Sequence, residues 1–377
     1  MSIKFGNLKL VKYLVEDKDF QPSNINAPDI NNEYPIVTAV TSNQSEILDY
    51  LLGKGALINR IHLNGDSLLS LAINNHQKEV VKCLLAHDID INEKDISNTY
   101  SLVKAIYQNK FDIVRLLVGY AIKNGINLNQ YDINGSTPLI IAYRQNHLDI
   151  FKFLAKFLNI NLPDTNGNPI LFYVMANNDL ATMKYLINLG ANLNFKINTG
   201  HFLLDILLTR KNKEIFLFFI RKNHQIPVNE INIRGETLLI TLIKSKFYTI
   251  QDKLEIIKEI LILHKVNVNL ENSAKDTTPL LCAMQTRSLE LVKLLVQNGA
   301  DVNYYIKSMH KSILTYAVYL GDLPILNYLI ECNAMVNNPC FQEQPGQSPW
   351  ELALKKENND IIGALAKYHI NFLTGDI

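Results

Sequence analysis

Cysteine is scarce in this chain: four among 377 residues, at positions 83, 282, 332 and 340. They are too scattered for a disulfide scaffold and match no paired zinc spacing, which points to a reducing compartment. An excess of one charge is also missing, with 37 Lys+Arg against 36 Asp+Glu. A general nucleic-acid binder would carry a strongly basic balance, so no nucleic-acid partner is expected. Long apolar runs are absent as well. The densest, residues 215–220 (IFLFFI), closes at Arg221, far short of the roughly 18 residues of a spanning helix, and no membrane insertion is expected. The first residues carry Lys4, Lys9, Lys12 and Glu16 in place of a signal-peptide core, so the expected location is cytoplasmic.

Catalytic signatures are lacking too. No HExxH, GxSxG, Walker loop or GxGxxG occurs. The glycines of Gly53-Lys54-Gly55 follow an apolar helical pattern, where glycine caps a helix, and a phosphate site would need them before one. The nine histidines form no His–His pair at helical i,i+4 spacing. Cys83, between Lys82 and Leu84, reads as a packed thiol. No catalytic, cofactor or metal site is expected.

What the chain has in quantity is apolar residues, 47%, and asparagine, 44 in all. The first argues for a packed protein rather than a disordered one. The second is consistent with AT-rich codons. The apolar residues recur with a long period. A small or apolar residue ending a first motif falls at Ala39, Ala72, Ala105, Ala142, Val174, Leu207, Leu242, Ala283, Ala317 and Ala353, spaced 33, 33, 37, 32, 33, 35, 41, 34 and 36 apart. A closing asparagine falls at 26, 59, 92, 129, 161, 194, 229, 269, 303 and 337, with nearly the same spacings. Two anchors moving together define a repeat.

Each unit reads as two short helices and a turn. In residues 278–283 (TTPLLCA minus its first Thr), Thr278 can cap, Pro279 can take the first helical position, and Leu280 and Ala283 share a face. A second helix follows in residues 289–296 (LELVKLLV) and Gly299 ends it. These residues, with residues 135–142 (GSTPLIIA) and 54–59 (KGALIN), resemble the ankyrin repeat. The similarity runs through nearly the whole chain. It implies an all-α solenoid of stacked helix-turn-helix units with hairpin tips, curved, with a concave inner face. The expected organisation is one array over 1–377: a truncated first unit at 1–26, nine repeats over 27–337, and a C-terminal repeat or cap at 338–377. One departure is general. The histidine that follows the family's Thr-Pro-Leu is replaced by Val37, Ser70, Val103, Ile140, Phe172, Asp205, Ile240, Leu281, Thr315 and Glu351.

Three places break the period. Four extra residues after Leu117-Val118 predict a lengthened second helix. About six extra residues near 246–251 (KFYTIQ) predict an inserted loop with exposed aromatics, either a contact site or a tolerated insertion. The larger Val174, Leu207 and Leu242 at the small position predict altered curvature over about 165–270.

The register places Lys104, Arg144, Arg210, Arg234, Lys244, Lys275, Lys311, Lys355 and Lys356 on the inner face against Glu33, Asp66 and Glu236, predicting a basic face. Tyr107, Tyr173, Tyr316 and Tyr319 fall at the same positions, and tyrosine and arginine are the types enriched at binding hot spots. Ankyrin arrays mostly serve as binding scaffolds, so the resemblance implies a non-catalytic, monomeric protein-interaction module. Its partner would be a protein with an acidic or mixed segment, held by Tyr107, Arg144, Tyr173, Arg210, Arg234, Lys244, Tyr316 and Tyr319. A host-directed effector, delivered without a classical signal peptide, is an extension of that reading. The alternative is a small-molecule binder or atypical enzyme with a pocket near the repeat-seven insertion. The resemblance further implies that Asn92 and Asn303 sit in the context modified by asparaginyl hydroxylases.

Overall fold

The computed structural model describes residues 1–16, 24–59, 65–196, 203–209, 211–223, 225–335 and 348–374. Among them lie 21 α-helices and two strands of two residues each. The architecture is an all-α repeat solenoid. One single helix, Leu8–Glu16, is followed by ten helix pairs: Pro35–Thr41 with Ser45–Gly53, Leu68–Asn74 with Lys78–Ala86, Ser101–Tyr107 with Phe111–Asn124, Pro138–Arg144 with Leu148–Leu154, and Ile170–Ala176 with Leu180–Asn188. The series continues with Leu203–Leu208 and Lys213–Lys222, Leu238–Lys244 and Ile250–Leu263, Pro279–Gln285 and Leu289–Gln297, Ile313–Leu320 and Leu323–Glu331, then Pro349–Lys355 and Asn359–Thr374. The chain divides into two compact units, Met1–Tyr173 with Thr182–Ala191 and Val174–Ala181 with Asn192–Ile377. The boundary falls where the small anchor residue first becomes larger, at Val174.

The caps explain why such short helices hold. Thr137, Thr237 and Thr278 accept the backbone N–H three residues on, at 3.3 Å each, and Ser67, Ser312 and Ser348 do the same. The other end is closed by a left-handed residue. Asn43, His76, Asn109, Asn146 and Asn178 all have φ between +54° and +58°. The next residue's N–H then returns to the anchor carbonyl: Gln44 to Ala39, Gln77 to Ala72, Lys110 to Ala105, His147 to Ala142 and Asp179 to Val174. Asparagine tolerates this conformation better than other non-glycine residues, because its short amide bonds locally. The abundance of asparagine thus has a structural use.

Stacking supplies the core. Within each unit, first helices pack on first helices and second on second. The anchor residues Ala39, Ala72, Ala105, Ala142, Leu207, Leu242, Ala283 and Ala317 are fully buried, with Phe151, Phe216 and Phe219 among the largest fully buried side chains. The closing asparagines staple neighbouring repeats. Asn26 accepts Leu57 N–H at 2.8 Å and donates to the Gly55 carbonyl at 3.1 Å. Asn269 makes the equivalent pair with Asp301 and Gly299, and Asn229 with Asn267 and Lys265.

The lengthened helix expected in the third repeat is present, 14 residues from Phe111 to Asn124. The repeat-seven insertion differs from the expected exposed loop. Most of it lengthens the second helix, Ile250–Leu263, to 14 residues against nine in Leu289–Gln297. The remainder folds inward. Tyr248 is buried, stands edge-on to Phe216 at 5.9 Å, and donates its hydroxyl to the Leu207 carbonyl at 2.6 Å. Ser245 donates to the Leu208 carbonyl at 3.2 Å. The buried Lys253 ammonium donates to the Ile243 carbonyl at 2.7 Å, and burial pulls its pKa down. All three donors satisfy carbonyls at the ends of first helices, groups that a helix leaves unpaired. Of the two aromatics of the insertion, Phe247 stays exposed. The Tyr248→Phe variant keeps the ring but orphans the Leu207 carbonyl, and a loss of about 1–2 kcal/mol is expected from urea denaturation. An unchanged midpoint would show that water takes the hydroxyl's place.

Candidate functional site

Three hairpin tips of the first unit are each built around one aspartate, Asp95, Asp132 or Asp164. Asp95 Oδ1 accepts the N–H groups of Ser97 and Thr99, both at 2.9 Å. Asp132 accepts those of Asn134 and Ser136 at 3.0 and 2.6 Å, and Asp164 those of Asn166 and Asn168 at 3.0 and 2.8 Å. The second oxygen is held by a first-helix side chain. Lys104 Nζ lies 2.6 Å from Asp95, while the Tyr107 and Tyr173 hydroxyls donate at 2.5 Å to Asp132 and Asp164 respectively. Burial, then the carboxylate bond, pushes both phenols up to about 12. Their hydroxyls lock the tips, while the Tyr107 side chain stays exposed and Tyr173 is half-buried.

Arg144 sits between these two tyrosines in charge terms, acting on both. It is exposed, and its guanidinium lies over the Tyr173 ring at 5.6 Å. Tyr107, Arg144 and Tyr173 therefore form one strip over consecutive repeats. Arg210 lies outside the described residues. The basic face expected from the sequence is corrected here. Lys104 is neutralised by Asp95 and by Asp66 at 3.8 Å, and Lys244 by Glu236 at 2.8 Å. Asp95, Asp132 and Asp164 add carboxylates from the tips, so the tips and first helices together carry mixed charge. Each lies ten residues before its repeat's anchor, at Ala105, Ala142 and Val174, one position outside those the register count included.

In the second unit, Arg234 and Lys244 line a cleft of about 370 Å³ together with Asn232, Glu236, Thr241 and Phe247. Tyr316, expected to meet a partner, is 5% exposed and packs against its own array, a second correction. Tyr319 is 50% exposed, stacked on Tyr316 at 5.9 Å, with Lys356 Nζ 4.6 Å and Lys311 Nζ 5.9 Å from its ring centre. Asn303 Oδ1 accepts Met335 N–H at 2.8 Å, and Asn92 Oδ1 accepts from the Gln130 amide. Both serve the repeat-to-repeat stapling, and Asn92 is the more exposed.

The sequence reading missed one cluster. Asp49, Cys83 and His87 bring a carboxylate, a thiol and an imidazole within 4.8 Å of one another. The Cys-x-x-x-His spacing, one helical turn, was the available signal. Asp49 could not be added from sequence, since it comes from the preceding repeat.

Comparison with known proteins agrees with this architecture. A family model described as ankyrin repeats, in three copies, matches residues 1–95, 69–165, 102–197, 198–306 and 245–340. The chain belongs to the ankyrin-repeat family, whose repeats generally mediate protein–protein interaction. It is 25% identical over 263 residues to alpha-latroinsectotoxin-Lt1a of Latrodectus tredecimguttatus, covering 58% of this chain and 18% of the toxin. It is 25% identical over 221 residues to putative ankyrin repeat protein L371 of Acanthamoeba polyphaga mimivirus, covering 51% of this chain and 28% of that protein. A third similarity, 25% over 199 residues, is to phosphocholine transferase AnkX of Legionella pneumophila, covering 49% and 18%. The chain thus spans less than a third of the length of these relatives. Among the described residues, no helix is long and apolar enough to cross a membrane.

Proposed function

We propose that the chain is a non-catalytic interaction scaffold, one array over 1–377, that holds a segment of a partner protein against its first helices and tips. The observation that carries this reading is the exposed Arg144 over the Tyr173 ring, with Tyr107 on the preceding repeat. An arginine ordered on an aromatic ring can pair bidentately with a carboxylate at little further entropic cost. The neighbouring tip aspartates favour a partner of mixed charge over a purely acidic one. In the second unit, taken by itself, the same reading assigns partner contact to Arg234, Lys244 and Tyr319. The similarity to a mimivirus protein and a Legionella pneumophila protein supports a host-directed role, with the chain acting in the cytoplasm.

The test is affinity capture from candidate host lysate with wild type, Arg144→Lys and Arg144→Glu. Arg144 is exposed, so neither change should unfold the protein, whereas Tyr107→Ala and Tyr173→Ala would also release tip locks. A partner held by wild type should be lost at least tenfold by Arg144→Glu. Equal retention would move the site off this face.

A second reading rests on the cleft at Arg234 and Lys244, beside Phe247 of the insertion. A ligand bound there only in the folded state would raise the unfolding temperature in a metabolite panel, and Arg234→Ala would remove the shift.

A further inference from the structure

The Asp49, Cys83 and His87 cluster is not used by the proposed binding face. Asp49 lies on Ser45–Gly53, Cys83 on Lys78–Ala86, and His87 caps that helix. These two second helices pack against each other. Cys83 and His87 are four apart and therefore share one helix face. Asp49, 38 residues before His87, reaches across with Oδ1 at 2.9 Å from His87 Nε2. We propose that these three side chains form a binding site for a zinc-type divalent cation, with three protein ligands and one open position.

The geometry and the donor chemistry agree. With Zn–S of about 2.3 Å and Zn–N and Zn–O of about 2.0–2.2 Å, tetrahedral ligand atoms lie roughly 3.3–3.7 Å apart. The observed atoms lie within 4.8 Å of one another, so side-chain shifts of about an ångström close the triangle. A thiolate, an imidazole and a carboxylate suit a borderline-soft ion, whereas magnesium or calcium takes oxygen ligands alone. Asp49 is 71% and His87 29% exposed at the side chain, which leaves an approach for the ion and a position for water.

A nucleophilic Cys–His–Asp reading fits less well. Burial, and then the Asp49 charge, pushes the Cys83 thiol up to about 12, so no thiolate forms unaided near neutrality. A dication supplies the missing counter-charge, and the thiol proton leaves to solvent as the metal binds. The bound ion would clamp the second helices of consecutive repeats. It would stabilise only the folded array, because the unfolded chain does not hold Asp49 near Cys83.

Cobalt(II) is the probe, titrated into the chelator-stripped, reduced full chain. One equivalent is expected to give a thiolate-to-cobalt charge-transfer band in the near ultraviolet and strong visible bands of a tetrahedral site, both removed by zinc. Affinity should rise about tenfold per pH unit near neutrality, from the single thiol proton displaced. Cys83→Ser should abolish the ultraviolet band. Asp49→Asn, at an exposed position, should weaken binding at least tenfold with the fold intact by circular dichroism. If Cys83→Ser fails to fold, Asp49→Asn decides alone. Absence of the band, or equal binding by Asp49→Asn and His87→Gln, would overturn the proposal and assign any bound cobalt to another thiol.

Discussion

Lys104→Met is expected to lower stability by about 3 kcal/mol, the usual cost of stranding a buried charge by removing its partner. With a urea slope of about 2 kcal/mol per M, the midpoint falls by roughly 1–2 M. The Asp95 side chain is 2% exposed and has Lys104 Nζ at 2.6 Å; that ammonium also donates to Ser70 Oγ. Burial works against the Asp95 carboxylate, but the Lys104 ammonium and the N–H groups of Thr99 and Ser97 outweigh it, and its pKa is lowered. Its folded pKa lies below the unfolded value of about 3.9, so its contribution is present above that value and lost as pH falls through the folded one. Without Lys104 the loss should begin at higher pH. The double variant Lys104→Met with Asp95→Asn should recover part of the midpoint, since Asp95 is then uncharged while Asp66 still loses the ammonium 3.8 Å away. A single variant costing under about 1 kcal/mol would mean that water screens the pair as it does at a surface.

Gly135→Ala should cost about 3 kcal/mol, from two separate causes. Gly135 has φ +74°, which disfavours any side chain. A Cβ there would also stand 1.7 Å from Thr165 Oγ1 and 2.7 Å from Thr165 Cβ, atoms too close to the backbone to swing away. Thr165 N–H donates to the Gly135 carbonyl at 3.0 Å, so the two tips cannot separate without losing that bond. Gly125→Ala is the control. Its φ is +66° but no atom lies within 4 Å of the added carbon, and it should cost only about 1 kcal/mol. Equal losses in urea denaturation would refute the close-approach argument.

Much of this architecture is legible because a repeat states the same physical solution many times. The anchor at Ala39, Ala72, Ala105 and Ala142 marks the residue whose carbonyl closes the first helix. The closing asparagine marks the staple to the next unit. Neither needs a partner identified far away, since each recurs at a fixed offset. The reading failed where one repeat answered a need of another. The aromatics of the seventh-repeat insertion pointed to an exposed loop, but Tyr248 was required inside, at the Leu207 carbonyl. The inner-face charge count treated Lys104 as free, because Asp95 belongs to the preceding tip. Tyr316 fell on a binding position by register and was taken into packing by neighbours that sequence spacing does not reveal.

By itself the sequence determined the repeat period, the helix pairs, their caps and the all-α stack, since these follow from local propensity and from apolar faces that only a neighbour can bury. Only the tertiary structure decided which charges cancel, which tyrosines lock tips, and that Asp49 meets Cys83 and His87. Those pairs join residues 8 to 38 positions apart, and side-chain direction at such separations is set by how neighbouring repeats pack.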